Sequence, residues 1–171
     1  MASPSALNAL IVEDNVPFRR AFKDFLLERY PFLRIVEAGD AVEATKEIEA
    51  LVPDLIFMDI LLPGMSGIQL TKEIKAHHPE VKIVIVTSHA EPEFLAQALA
   101  SNADAFFAKE TLNGEEFAAL VESISAGMGI DSRGLGAKGV PGAHPTDQPE
   151  AQKGDEEVNG QALTKLDVEF A

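Results

Sequence analysis

Cysteine is absent from the 171 residues, which removes disulfide frameworks and thiolate chemistry from consideration. No apolar run approaches the roughly 20 residues that a membrane-spanning helix needs. The first residues lack the basic-then-apolar pattern of a secretory leader. The expectation is a cytoplasmic protein without membrane contact. Basic residues are scarce: 14 Lys and Arg stand against 28 Asp and Glu, for a formal net charge of -14. Nucleic acid binding requires a basic face, so direct contact with DNA or RNA is not expected. The acidity reads most simply as a means of staying in solution.

What is present divides at about residue 127. Hydrophobic content is 46% overall, ordinary for a globular chain, and the length suffices for one domain with a core plus some extra. Of the 12 glycines, 8 lie at or beyond Gly127, together with Pro141, Pro145 and Pro149. Apolar periodicity disappears over the same stretch. Residues 1–126 therefore read as one domain and 127–171 as a disordered Gly/Pro/acidic tail. That tail carries no helix-turn-helix pattern, so no DNA-binding output domain is expected from it. Near its end, Leu166, Val168 and Phe170 alternate as in a strand that adds to a partner's sheet edge. An undirected chain end is the plainer reading.

Within 1–126 short apolar runs alternate with helical spacing. Strands are predicted at Leu7–Val12, Leu33–Ala38, Asp54–Asp59, Lys82–Thr87 and Asp104–Ala108. Between and after them, helices are predicted at Val16–Arg29, Ala41–Leu51, Ser66–Ala76, Pro92–Ser101 and Gly114–Ala126. Asp40 with Glu43 forms a near capping box for the second helix. Five βα units with short links imply a parallel sheet covered by helices on both faces. Runs such as IFM and IVIV, apolar without alternation, suit strands buried on both sides.

In such sheets ligands bind beyond the carboxyl ends of the strands. Glu13 and Asp14 follow the first strand, Asp59 ends the third, Thr87 and Ser88 end the fourth, and Lys109 follows the fifth. Only Ala38-Gly39 follows the second, which places that strand away from the site. Three carboxylates gathered on one edge repel, and a hard divalent cation relieves them. Mg2+ takes few carboxylates and favours phosphate oxygens. Asp14 and Asp59 are the expected direct ligands, with Glu13 direct or through water. The free Asp59 oxygen can attack phosphorus to give an acyl phosphate. Lys109 and the Thr87 hydroxyl then share with the metal the task of neutralising the phosphoryl oxygens.

Singly, each of these residues has an ordinary explanation: a helix cap, a turn acid, a surface lysine. Jointly they occur in LIVEDN, FMDILLPGMSG, IVIVTS and AFFAKE, and over about residues 6–126 the chain resembles the receiver domains of two-component response regulators. The flanking sequence is most similar to receivers usually fused to a helix-turn-helix output domain. The resemblance implies a flavodoxin-like (βα)5 sandwich with a five-stranded parallel sheet in the order 2-1-3-4-5. It implies that Asp59 accepts phosphate from a phosphohistidine on a histidine kinase or phosphotransfer protein. It also implies that the backbone carbonyl of Leu61 completes the metal shell and that Thr87 and Ser88 contact the phosphate. Phe106 matches the aromatic that changes rotamer on activation, moving inward as Thr87 shifts. Self-association through the face of the fourth helix, fifth strand and fifth helix belongs to the same expectation.

Two departures stand out. Glu110 follows Lys109 where many members have proline after a cis bond, and a cis bond to Glu costs about 3–4 kcal/mol. Leu61 and His89 occupy the variable positions that tune dephosphorylation, Leu61 by shielding and His89 by orienting water. The function expected is a phosphorylation-activated switch, an enzyme only toward its own phosphorylation and dephosphorylation, acting on a downstream protein by contact. A phosphate relay or sink is the alternative. An aspartate-nucleophile phosphatase fits poorly, because the residue two after Asp59 is Leu61 and not a second acid.

Overall fold

The computed structural model describes residues 6–130 and the pair Leu163–Thr164. The elements are β1 (Leu7–Val12), α1 (Val16–Arg29), β2 (Leu33–Ala38), α2 (Ala41–Ala50), β3 (Leu55–Met58), α3 (Gly67–His77), β4 (Lys82–Thr87), α4 (Pro92–Ala100), β5 (Ala105–Ala108), α5 (Glu115–Gly127) and β6 (Leu163–Thr164). A short 3-10 turn, Lys109–Thr111, follows β5. The sheet order is β2-β1-β3-β4-β5-β6. Its first five strands are parallel, in the predicted order 2-1-3-4-5. The sixth is an addition: Leu163–Thr164 runs antiparallel along β5, opposite Phe106 and Ala105. The rest of the predicted tail, including the alternating Leu166, Val168 and Phe170, lies outside the described residues. The packed chain continues beyond residue 126, since Ile130 is buried.

Alternate strand residues feed two cores. Ala9, Ile11, Phe57, Val84, Val86 and Phe107 join Phe22 and Leu26 of α1 and Phe117 and Val121 of α5 on one face. Leu10, Val12, Ile56, Met58, Ile83 and Ile85 join α2, α3 and α4 on the other. Strands sandwiched this way have no solvent face, which is why β3 and β4 show no polar alternation. Phe117 closes the first core against Phe22, Phe57 and Phe107, with centroids 6.1, 5.9 and 5.3 Å away.

Helix starts are capped as their sequences suggest. Asn15, Asp40 and Ser66 accept from the backbone N–H groups of Phe18, Glu43 and Ile68, satisfying donors that the first turn leaves unpaired. Glu43 reaches back to the Gly39 N–H at 2.7 Å, so the return bond of the predicted near capping box goes to the residue before the cap and not to Asp40. Among the described residues every peptide is trans, Lys109–Glu110 included, and no helix is long and apolar enough to cross a membrane.

The chain between β3 and α3 turns at Gly64, whose φ of 80° suits glycine. It then brings α3 back so closely that a Cβ on Gly67 would lie 1.8 Å from the carbonyl oxygen of Asp59. Gly67 N–H donates to the Ile60 carbonyl at 2.8 Å. On the far side, Glu37 of β2 accepts from Lys23 at 2.8 Å and Arg19 at 3.2 Å. Those bonds, Lys23 first, hold its pKa below the ordinary glutamate value against the opposing effect of burial.

Two outcomes follow. Gly67→Ala forces the end of β3 and the start of α3 apart, and the urea midpoint should fall by the equivalent of about 1–3 kcal/mol or more. Glu37 binds a proton less readily folded than unfolded, so its contribution is complete above the ordinary glutamate pKa and is lost as pH falls through the lower native value. Urea unfolding across pH 2–6, in roughly half-unit steps, should show Glu37→Gln with a flatter acid limb than the parent.

Candidate functional site

The carboxyl ends of β1, β3, β4 and β5 meet at one rim. The Asp59 N–H donates to the Val12 carbonyl at 3.0 Å, so the third strand carries its acid beside the Glu13-Asp14 turn. Ala108 pairs with Thr87, which sets the next residue, Lys109, just beyond the Thr87 hydroxyl. Carboxylate oxygens of Glu13, Asp14 and Asp59 all lie within 4.8 Å of one another. Lys109 Nζ stands 2.6 Å from Glu13 Oε2 and 3.3 Å from Asp59 Oδ2. These four side chains, predicted from three separated motifs, are brought together.

Their surroundings differ. Glu13 is 2% and Asp59 7% exposed, while Asp14 is open to solvent. The Asp59 Oδ1 atom accepts from the N–H of Ile60 at 2.7 Å. Both oxygens of Glu13 are occupied, Oε1 by the Asn15 N–H at 3.0 Å and Oε2 by Lys109. Burial is the largest influence on the Glu13 carboxyl and pushes its pKa up. The Lys109 and Asn15 hydrogen bonds offset part of that rise, and the Asp59 charge adds to it. Burial acts against the Lys109 charge, but the Glu13 hydrogen bond and the two carboxylate charges outweigh it, so the Lys109 pKa is raised. The leading causes differ: burial governs Glu13, with the Asp59 charge adding to it, whereas Lys109 overcomes burial because one ammonium gains from two carboxylates.

With Asp14 included, three carboxylates face one ammonium, an excess of two negative charges at a single rim. The donor set is all oxygen, without thiolate or imidazole. Hard ligands with that charge excess suit a divalent cation of the magnesium type, and Glu13, Asp14 and Asp59 are the residues that could hold it.

The remaining predicted residues are placed as follows. Thr87 is fully buried, and its Oγ1 accepts from the His89 N–H at 3.1 Å. Ser88 is exposed. His89 lies 3.8 Å from Glu91 and edge-on to Phe94, drawn toward the start of α4. Leu61 is 50% exposed beside Asp59. Phe106 is only 5% exposed, packed in the core beneath α4.

Three participants escaped the sequence reading. Gly67 supports Asp59 by close approach, and its signal was a glycine directly after the Ser66 cap. Arg19 donates to the Glu13 carbonyl at 2.6 Å while pairing with Glu37. Phe18, whose helical spacing with Phe22 and Phe25 suits a core residue, is half-buried and presents its ring 4.2 Å from Lys109 Nζ. Nothing in a helix-spaced phenylalanine announces a cation above it.

The sequence model of the response regulator receiver domain matches residues 9–122. The DNA-binding transcriptional activator DevR/DosR of Mycobacterium tuberculosis is 31% identical over 133 residues, covering 77% of this chain and 60% of that protein. The response regulator protein VraR of Staphylococcus epidermidis is 32% identical over 106 residues, covering 62% of this chain and 51% of its own length. The chain thus spans about half the length of the curated relatives it matches. Among solved structures, a LuxR-family two-component response regulator from Aurantimonas sp. SI85-9A1 superposes with a TM-score of 0.61 at 30% identity, covering 73% of this chain and 86% of that one. A CheY-like receiver domain protein from Methanospirillum hungatei JF-1 gives 0.61 at 27% identity, covering 73% and 95%. A βα alternation with acids just past β1 and β3 and a lysine just past β5, matched by the family over 9–122, makes this chain a member of the response regulator receiver domain family.

Proposed function

We propose that this receiver is a phosphorylation-activated switch in which Asp59 takes phosphate from a phosphohistidine on a histidine kinase or phosphotransfer protein. The observation that carries the reading is the convergence of Glu13, Asp14 and Asp59 oxygens within 4.8 Å, with Lys109 against two of them. A carboxylate oxygen of Asp59 forms a bond to phosphorus as the P–N bond of the donor breaks, and the imidazole nitrogen keeps the electron pair. Glu13, Asp14 and Asp59, with the carbonyl of Leu61, would hold Mg2+. That ion supplies charge neutralisation at the phosphoryl oxygens.

The chain's own groups do the rest. Ile60 N–H fixes one Asp59 oxygen and so orients the other. Lys109 exchanges a carboxylate for a phosphoryl oxygen, a charge-assisted contact of similar strength. The Thr87 oxygen accepts from His89, which leaves its hydroxyl hydrogen to donate to the phosphoryl group, with Ser88 beside it. A Thr87 drawn toward the phosphate shifts the loop leading to α4, under which Phe106 is packed. The switch therefore begins at Thr87 and reaches Phe106 through packing already in place. Hydrolysis returns the carboxylate when water attacks phosphorus. Leu61, half exposed beside Asp59, shields that approach, and His89 flanks it. Chemistry is confined to the chain's own phosphorylation and dephosphorylation. Output is contact with a downstream protein or a second copy through α4, β5 and α5, because the residues present carry a net charge of -14, which disfavours direct nucleic acid contact.

Incubation with Mg2+ and acetyl phosphate should add one phosphoryl group by intact-mass measurement, and Asp59→Asn should add none. Uptake that persists in the variant would place the acceptor elsewhere. Mg2+ at about 100 times its Kd should raise unfolding stability of the parent by about 2.7 kcal/mol. Asp59→Asn should lose most of that increment in urea titrations.

A further inference from the structure

The Phe18 ring is built into the site from two directions. Its backbone N–H donates to the Asn15 side chain at 3.0 Å, and Asn15 in turn donates its N–H to Glu13. Its ring stacks on Phe22 at 5.7 Å and 21°. Phe22 meets Phe57 edge-on at 5.2 Å, two residues before Asp59 on the same strand. The Phe18 ring is therefore anchored to the strand that carries the acceptor acid, and Lys109 Nζ sits 4.2 Å from its centroid. An ammonium at that distance is attracted by the negative face of the ring.

The contact matters because of what Lys109 holds. Its shortest partner, Glu13 Oε2 at 2.6 Å, belongs to the cluster that can take a cation. The other Glu13 oxygen is committed to Asn15. A dication drawing on Glu13 competes with Lys109 for that oxygen. A lysine released from a carboxylate has a flexible four-carbon stem and a strongly hydrated head, and its default course is outward to water. The ring asks nothing of the carboxylates and stays when they are taken.

Resting on the reading of Asp59 as phosphoacceptor, we infer that Phe18 is a positioning residue that keeps the Lys109 ammonium at the phosphoryl site by a cation–π contact once Glu13 is engaged by metal. The ring does not touch the transferred group. It acts through Lys109.

The test uses the full chain with Mg2+ and beryllofluoride, a mimic of the phosphoryl group, followed by titration calorimetry. Phe18→Leu keeps the apolar volume and removes the quadrupole. It should weaken beryllofluoride binding roughly 3- to 30-fold while Mg2+ affinity, measured alone, changes less than about threefold. Phe18→Tyr should restore binding. In a Lys109→Ala background the same Phe18→Leu change should have no further effect, because the group it acts through is gone. Parent-like binding by Phe18→Leu, an equal loss of Mg2+ affinity, failure of Phe18→Tyr to restore it, or an undiminished loss in the Lys109→Ala background each overturns the inference. A parent chain that binds no beryllofluoride instead overturns the phosphoacceptor reading itself.

Discussion

Lys109 is shared between Glu13 and Asp59, at 2.6 and 3.3 Å, and this sharing ties together three strand ends that are remote in sequence. Two buried carboxylates beside each other can both stay ionised only when a cation stands between them; otherwise one must hold a proton. One ammonium is too little charge for the three acids at this rim, and that deficit makes the site receptive. It is stable enough to form with the side chains alone, yet the addition of positive charge improves it. A site neutralised in full by its own lysines would have no call for a metal ion or for a phosphoryl group held through one.

The fold provides this arrangement without any residue being forced. Parallel strands end at the same rim, so acids placed one residue past β1 and β3, and a lysine one residue past β5, converge by topology. Glycine at 67 lets α3 start against the backbone of Asp59. Arg19 braces the Glu13 carbonyl from behind and is itself held by Glu37 at the sheet's far edge. The acidic turn is thus backed by an ion pair that lies outside the site and draws on neither the Glu13 nor the Asp14 carboxylate.

Much of this was legible in the residues. The uninterrupted apolar runs of β3 and β4 announced strands covered on both faces, and the polar residue ending each run announced the rim. Asp40 marked the start of the second helix through its side-chain oxygen. What the sequence withheld was contact at right angles to the chain. Phe18 repeats at helical spacing with Phe22 and Phe25, so its periodicity pointed to a core, and only the fold shows Lys109 above its ring. The burial of Phe106 is likewise a matter of how α4 lies, which no local pattern specifies. The pairing of Leu163–Thr164 with β5 joins segments whose partnership depends on an edge rather than on a motif.

Gly67 has a mechanical meaning beyond its size. Where two backbones touch with no side chain between them, neither can shift by a fraction of an ångström without the other following. The acid and the first turn of the eleven-residue α3 therefore keep one fixed spacing, and any side chain at 67 would have to prise it open.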